Sequence, residues 1–192
     1  MDDWPDQVPS PRLVAAWRVL DTVPTRRVPL WAAHWLVAGY DGEALVELAG
    51  LSGRDPGPVH ELLGAALGGC GLDGADLGTA QRDRRRAAAV TAFTAIAELH
   101  AQGRATEQWV LRTVYRMLDP DRRLVSVIDE SVASLPLGQL YLLADEWKFL
   151  ESPTDDQIRA IVQQACREQL DAAVNSSAPT ARPTSTTAAP RS

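Results

Sequence analysis

The feature that most constrains the fold is the spacing of apolar residues, which recur every three or four positions in most segments between residues 11 and 174. This spacing gathers apolar side chains on one face of an α-helix, whereas a half-buried strand needs alternation, and no segment alternates convincingly. The pattern predicts an all-α fold: a single domain of eight or nine helices in an orthogonal or solenoid-like array, with no sheet. We expect an N-terminal extension over residues 1–10 and the helical domain over residues 11–174.

Residues that favour helix starts define the boundaries of the predicted helices. Ser10-Pro11 and Asp55-Pro56 each place a capping side chain before a proline at the first helical position. Thr154, with Gln157 three residues later, forms a capping box that predicts a last helix through residue 174. Further helices are expected near 27–40, 41–51 (capped by Asp41), 79–101, 106–118, 122–134 and 136–150. Because residues 27–40 are apolar nearly all round, they predict a central helix.

The C-terminal segment, residues 175–192, contains no large apolar residue and three prolines. It cannot bury enough surface to offset the entropy of ordering a chain, so we expect a disordered tail. Its charged residues are Arg182 and Arg191, which means that residues 1–174 are more acidic than the whole chain.

Charge is spread unevenly along the chain, whose net charge is −6. Residues 77–118 hold seven basic and three acidic residues, whereas residues 1–76 and 119–174 each hold 11 acidic and five basic residues. A basic middle between acidic flanks indicates either internal neutralisation or surfaces that meet a partner. The acidic balance favours a basic protein as partner and disfavours nucleic acid, because phosphate binding needs a positive surface.

Composition also bears on the setting of the protein. Cys70 and Cys166 each stand alone, which leaves no disulfide framework or zinc-binding pair, and Cys166 lies on an apolar helical stripe where burial is expected. No uncharged run is long enough to span a membrane, and the acidic N-terminus is unlike a secretory signal. Lys148 is the only lysine among 19 basic residues, a bias typical of GC-rich codons. We therefore expect a cytoplasmic protein of a high-GC bacterium.

Motifs for catalysis and cofactor binding do not occur in a suitable context. Residues 69–74 have the GxGxxG spelling of a dinucleotide loop, but a predicted helix precedes them instead of a strand, which favours a helix end and a turn. His34, His60 and His100 lie far apart, and none has a second ligand at helical metal spacing. The sequence therefore predicts no metal and no cofactor, and it favours a non-catalytic function.

His34 nevertheless defines an alternative, because it lies between Trp31 and Trp35 on the helix predicted over 27–40. A histidine in this position is expected in or just below the core, with one hydrogen-bonded ring nitrogen. The same three residues would line a pocket if the chain were an enzyme or a small-ligand binder.

Two predicted helices carry faces that mix charged and apolar residues. Arg82 and Arg86 crowd the positive end of the helix near 79–101, where the helix dipole disfavours cations, and they continue the apolar stripe of that helix. The sequence shows nothing that compensates for this unfavourable placement. The helix over 136–150 has a mixed face formed by Leu142, Asp145, Glu146 and Phe149. Both faces are candidate partner-binding surfaces, and internal pairing of the two is the alternative.

Trp109 forms a third candidate surface on the helix near 106–118. At about 100° per residue, it shares a face with Arg112 and Arg116, opposite the apolar stripe of that helix. A tryptophan beside guanidinium groups is typical of residues that dominate binding at interfaces, and a covering neighbour is the alternative.

The predicted function is that of a non-catalytic, acidic helical module that binds another protein, and an inhibitor or immunity-type partner of a bacterial protein is one form of such a module. A nucleic-acid or anion binder, acting through Arg82–Arg86 with Arg112 and Arg116, is the first alternative. The second is an enzyme or small-ligand binder with a pocket near His34.

Overall fold

The computed structural model describes residues 4–5, 8–72, 81–118, 129–141 and 154–177. Within these ranges all regular structure is helical and no strand occurs, which confirms the predicted all-α fold. The elements in chain order are α1 (Pro11–Val19), a 3₁₀ turn (Thr25–Arg27), α2 (Val28–Val37), α3 (Glu43–Gly50), α4 (Pro56–Gly69), α5 (Gln81–Ala101), α6 (Glu107–Leu118), α7 (Glu130–Ala133) and α8 (Asp155–Ser177).

Three of the helix starts are capped as the sequence predicts. The side chains of Ser10 and Asp55 each accept a hydrogen bond from a backbone N–H in the first turn of α1 and α4, at 3.2 Å and 3.0 Å. At the start of α8, Thr154 N donates to Gln157 Oε1 at 2.9 Å, and Gln157 N donates to Thr154 Oγ1 at 3.3 Å. These bonds satisfy N–H groups that have no partner within their own helices.

Two boundaries differ from the predicted ones. Asp41 does not cap α3, because Gly42 occupies the cap position with φ of 145°, and Asp41 Oδ1 accepts from Gly42 N at 2.7 Å. Glycine adopts this backbone conformation without the clash that a Cβ would cause, so the helix begins at Glu43. At the other end of the chain, α8 continues to Ser177, three residues beyond the predicted end at Val174.

Parts of two predicted helices lie outside the described residues. Of the helix expected over 122–134, the structure describes α7, whose start is capped by Asp129 through a 3.0 Å bond from Ser131 N. Of the helix expected over 136–150, residues 139–141 are helical after a turn, and the rest lies outside the described ranges. The same holds for residues 178–192 of the predicted tail.

The central helix is α5, which packs against α1 on one side and α8 on the other. Helices α2, α3 and α4 pack each against the next, in a solenoid-like succession. The prediction of a central helix over 27–40 is wrong, since α2 buries Trp31 and Trp35 but leaves Leu30 58% and Val37 88% exposed. None of the described helices is both long and apolar enough to cross a membrane.

Candidate functional site

An aromatic cluster holds the N-terminal segment, residues 4–5 and 8–10, against the helices. Trp4 is 4% exposed and lies between Trp17 of α1 and Trp109 of α6, with ring centroids 4.8 Å and 5.3 Å away in edge-to-face contacts. Trp17 continues the cluster to Trp31, whose ring centre is 5.7 Å away. The described part of the predicted N-terminal extension is therefore packed onto the helical domain through Trp4.

Hydrogen bonds fix the path of this segment at both ends. Arg27 Nη1 donates to the Trp4 carbonyl oxygen at 3.2 Å, and Trp35 Nε1 donates to the Pro9 carbonyl oxygen at 2.8 Å. Ser10 then caps α1. Because it is tied at Trp4, Pro9 and Ser10, the segment forms a defined wall beside α5.

A groove of about 770 Å³ lies between this wall and α5, and the end of α8 borders it as well. Its lining positions on α5 recur every three or four residues from Asp83 to Gln102, which makes them one face of the helix. The 15 residues between Asp83 and Glu98 span about 22 Å of helix axis.

Small and hydroxyl side chains line the middle of the groove. Ala87, Thr91, Thr94 and Ala95 of α5 are all half-buried there. Thr91 Oγ1 donates to the Ala87 carbonyl oxygen at 3.1 Å, and Thr94 Oγ1 accepts from Gln169 Nε2 of α8 at 3.3 Å. The middle of the groove is therefore uncharged, and each of these two hydroxyl groups forms a hydrogen bond within the protein.

Charged side chains stand towards the two ends of the groove on α5. Asp83 and Arg86 lie near the start of the helix, Glu98 lies near its end, and Arg12 of α1 lines the opposite wall. Arg86 is engaged within the protein, since its Nη1 donates to the Ser131 carbonyl oxygen at 2.6 Å and to Ser134 Oγ at 3.1 Å. The exposed carboxylate of Glu98 forms no ion pair with any residue that the structure describes.

The arginine block predicted as a binding surface divides between internal contacts and solvent. Arg85 Nη1 lies 3.6 Å from Asp21 Oδ2, and Arg85 Nε lies 3.8 Å from Asp129 Oδ2. Arg82 is exposed and forms no ion pair within the described ranges. Of the predicted partner-binding residues that the structure describes, Arg86 is the one that lines the groove.

The third predicted surface is covered at its tryptophan. Trp109 is half-buried against Trp4 and packs against the core, while Arg112 and Arg116 are exposed on the same helix. The neighbour that covers Trp109 is thus the N-terminal segment. The second surface, formed by Leu142, Asp145, Glu146 and Phe149, lies outside the described residues.

Trp31, His34 and Trp35 lie in different surroundings. The two tryptophans are buried in the core, whereas His34 is exposed, so the expectation of a core or subsurface histidine is wrong. At about 100° per residue, His34 falls on the side of α2 that also carries Leu30 and Val37, away from the tryptophans. None of the three lines the groove.

Ionisable groups cluster at the junction of α5, α6 and α8. His100 Nε2 lies 3.6 Å from Glu107 Oε1, which also accepts from Gln163 Nε2 at 3.2 Å. The backbone N–H at the start of α6 and the Gln163 bond lower the pKa of Glu107. Burial and, to a smaller extent, the Glu107 charge raise the pKa of Cys166 to about 11. Such a thiol is protonated near neutral pH and is a poor nucleophile.

The remaining cysteine lies at the end of α4. Cys70 is half-buried, and burial raises its pKa. Gly71 follows with φ of 76°, and its N–H donates to the Gly68 carbonyl oxygen at 2.9 Å, which closes the helix. The described part of the GxGxxG segment is thus the predicted helix end and turn. Among the described residues, no group of three or more His, Cys, Asp or Glu side chains is placed to hold a metal ion.

Comparisons with known proteins give no relative: no family model matches the chain, nor does any curated protein or solved structure.

Most of the groove could not be inferred from the sequence. Trp4 stands in an acidic, proline-containing segment without helical periodicity, so no pattern indicates its burial. A weak signal was present on α5, where Ala87, Thr91 and Ala95 repeat at intervals of four and leave room beside the helix.

Proposed function

We propose that this chain is a non-catalytic, acidic helical module that binds another protein by taking an extended, basic segment of that protein into the groove. The observation that carries the proposal is the groove along α5 from Asp83 to Gln102, with an uncharged middle and charged groups of both signs towards its ends.

The length of the groove sets the size of an extended occupant. An extended chain rises about 3.3 Å per residue, so about seven residues span the 22 Å between Asp83 and Glu98. Side chains the size of Ala, Ser, Thr or Pro suit a floor lined by Ala87, Thr91 and Ala95.

Charge supports a basic occupant. The chain has a net charge of −6, which attracts cationic segments over distances of about 10 Å. Asp83 and Glu98 place carboxylates towards the two ends of the α5 face, and Arg12 and Arg86 also line the groove. The exposed Glu98, which forms no ion pair with any described residue, is the carboxylate that a basic side chain would meet. The anion-binding alternative has less support, because Arg85 and Arg86 are held by contacts within the protein.

The setting of the proposed module is the cytoplasm of a high-GC bacterium, where an inhibitor or an immunity-type protein is one form that it takes. Support for this setting comes from Lys148 being the only lysine and from two free cysteines, Cys70 and Cys166.

Selection from a library of displayed random peptides tests the proposal. We expect the selected peptides to be rich in arginine and small residues, and to bind an Ala95→Arg variant at least about tenfold more weakly because the new side chain fills the floor. Ala160→Arg, an exposed position on α8, is the matched control and should bind like the parent. Peptides that bind both variants equally, or a selection without enrichment, would overturn the proposal.

A further inference from the structure

One face of α2 is apolar, exposed and without a covering helix in the described part of the chain. Leu30 and Val37 are 58% and 88% exposed, although the helix buries Trp31 and Trp35 on its other side. At about 100° per residue, Leu30, His34 and Val37 lie within an arc of about 60°, which makes them one stripe of the helix. Two large aliphatic side chains exposed in one stripe make it a candidate contact surface.

Basic side chains lie at the start of the stripe. Arg26, in the 3₁₀ turn before α2, is exposed and forms no ion pair with any residue that the structure describes. Arg54 is exposed nearby, because the preceding Gly53 packs so closely on Arg26 that a Cβ there would lie 2.6 Å from the Arg26 carbonyl oxygen. Arg27, whose guanidinium group is bonded to the N-terminal segment, adds a third cation, and Asp55, which caps α4, adds a carboxylate. This end is therefore net positive.

Carboxylates lie at the other end of the stripe. Asp41 and Glu43 follow the end of α2, and both are exposed and form no ion pair with any described residue. Glu47 is exposed one turn further along α3. The segment between Arg27 and Arg54 contains no lysine or arginine. The stripe therefore runs from a basic end to an acidic end.

A stripe with this order of charges is complementary to itself in an antiparallel arrangement. A two-fold axis brings the same surface of two copies together, so every contact occurs twice. When the two α2 helices are antiparallel, the basic end of each copy, at Arg26, faces the acidic end of the other, at Asp41. In a parallel arrangement each charged residue would face its own copy, which like-charge repulsion disfavours. The charges therefore favour the antiparallel arrangement.

The apolar residues have the same symmetry as the charges. In the sequence, the midpoint of the charged pair falls between Ala33 and His34, and so does the midpoint between Leu30 and Val37. A register centred there brings Leu30 of each copy level with Val37 of the other, and His34 level with Ala33. One register thus covers both aliphatic side chains and pairs unlike charges at both ends.

We propose that the chain forms a two-fold dimer in which α2 packs antiparallel on α2 of a second copy. The helix has ten residues and is about 15 Å long, so the contact buries less than the roughly 1,200 Å² of a stable interface. We therefore expect a weak dimer, with a Kd of about 100 µM. None of the α2 residues lines the groove, so dimerisation does not depend on the proposed function, and separate measurements test the two.

Sedimentation equilibrium of the full chain, between about 10 µM and about 1 mM, measures the dimer. Val37→Glu should raise the Kd at least about tenfold, because it places a carboxylate against Leu30 at two points of the interface. Val174→Glu, the same change at a 71% exposed position of α8, is the matched control and should dimerise like the parent. A parent that stays monomeric at about 1 mM, or equal Kd values for the two variants, would overturn the proposal.

Charge substitutions test the antiparallel register. Arg26→Glu and Asp41→Arg should each raise the Kd about threefold or more at low salt, because like charges then face each other at both ends. An equimolar mixture of the two variants should restore the parent Kd, since every facing pair is again of unlike charge, and this recovery also shows that both variants fold. A single variant that dimerises as tightly as the parent, or a mixture as weak as the single variants, would overturn the antiparallel dimer.

Discussion

Cys166 links a single buried group to the pH dependence of stability. Its pKa of about 11 in the folded chain lies above the ordinary thiol value of 9.0, so the fold favours the neutral thiol. This contribution is fully present below pH 9 and is lost as the pH rises from 9 to 11.

We therefore expect the free energy of unfolding of the parent to fall between pH 8.5 and 11 by about 2 kcal/mol more than that of Cys166→Ala. Urea unfolding at a series of pH values measures the difference, and the loss of packing in the variant lowers its curve without changing the slope. If the free energies of unfolding of the two proteins changed in parallel with pH, the Cys166 thiol would have the same pKa in the folded and unfolded chain. Cys70→Ala, at a half-buried position, should show a smaller difference.

The burial of single residues could be predicted where a helical apolar stripe fixed their surroundings. The burial of Cys166 followed from its apolar stripe and is confirmed. His34 was misplaced because an all-apolar helix gives no sign of which face meets the core. Trp4 could not be placed, since its partners Trp17 and Trp109 lie 13 and 105 residues away and meet it only in the folded chain.

At the scale of elements, the N-terminal segment is held chiefly by Trp4, which contacts α1 and α6 together. Trp4→Ala should lower the free energy of unfolding by about 3 kcal/mol, and Trp109→Ala, at a half-buried position, by about 1–2 kcal/mol. The double variant should lose less than the sum by about 0.5–1.5 kcal/mol, because the ring contact is removed only once. Urea unfolding of the four proteins measures this coupling. Losses of unfolding free energy that simply add, or a Trp109→Ala variant with unchanged stability, would contradict the contact between Trp4 and Trp109.

Helix starts were predicted better than the arrangement of helices. Ser10, Asp55 and Thr154 act locally, through a side chain that bonds to the next turn, so the sequence contains the whole signal. The groove arises where α5, α8 and the N-terminal segment meet, and no local pattern records which faces remain uncovered.

For the whole molecule, the uneven distribution of charge is partly resolved by internal pairing. Arg85 belongs to the basic middle, and its two carboxylate partners, Asp21 and Asp129, come from the two acidic flanks. One guanidinium group thus joins parts of the chain that lie 64 and 44 residues away. This is the internal neutralisation that the sequence offered as one interpretation, although Arg82 and Glu98 take no part in it.

Arg85→Ala tests how much this pairing contributes to stability. The side chain is 34% exposed and its partners lie at 3.6 Å and 3.8 Å, so we expect a loss of about 0.5–1 kcal/mol at low salt. The loss should shrink at about 0.5 M salt, because ions screen charges at this exposure. Arg82→Ala is the matched control, an exposed arginine in the same helix turn, and should change the free energy of unfolding by less than about 0.3 kcal/mol. Urea unfolding at the two salt concentrations gives all four values. Equal losses for the two variants would show that the acidic flanks are not held to the basic middle through Arg85.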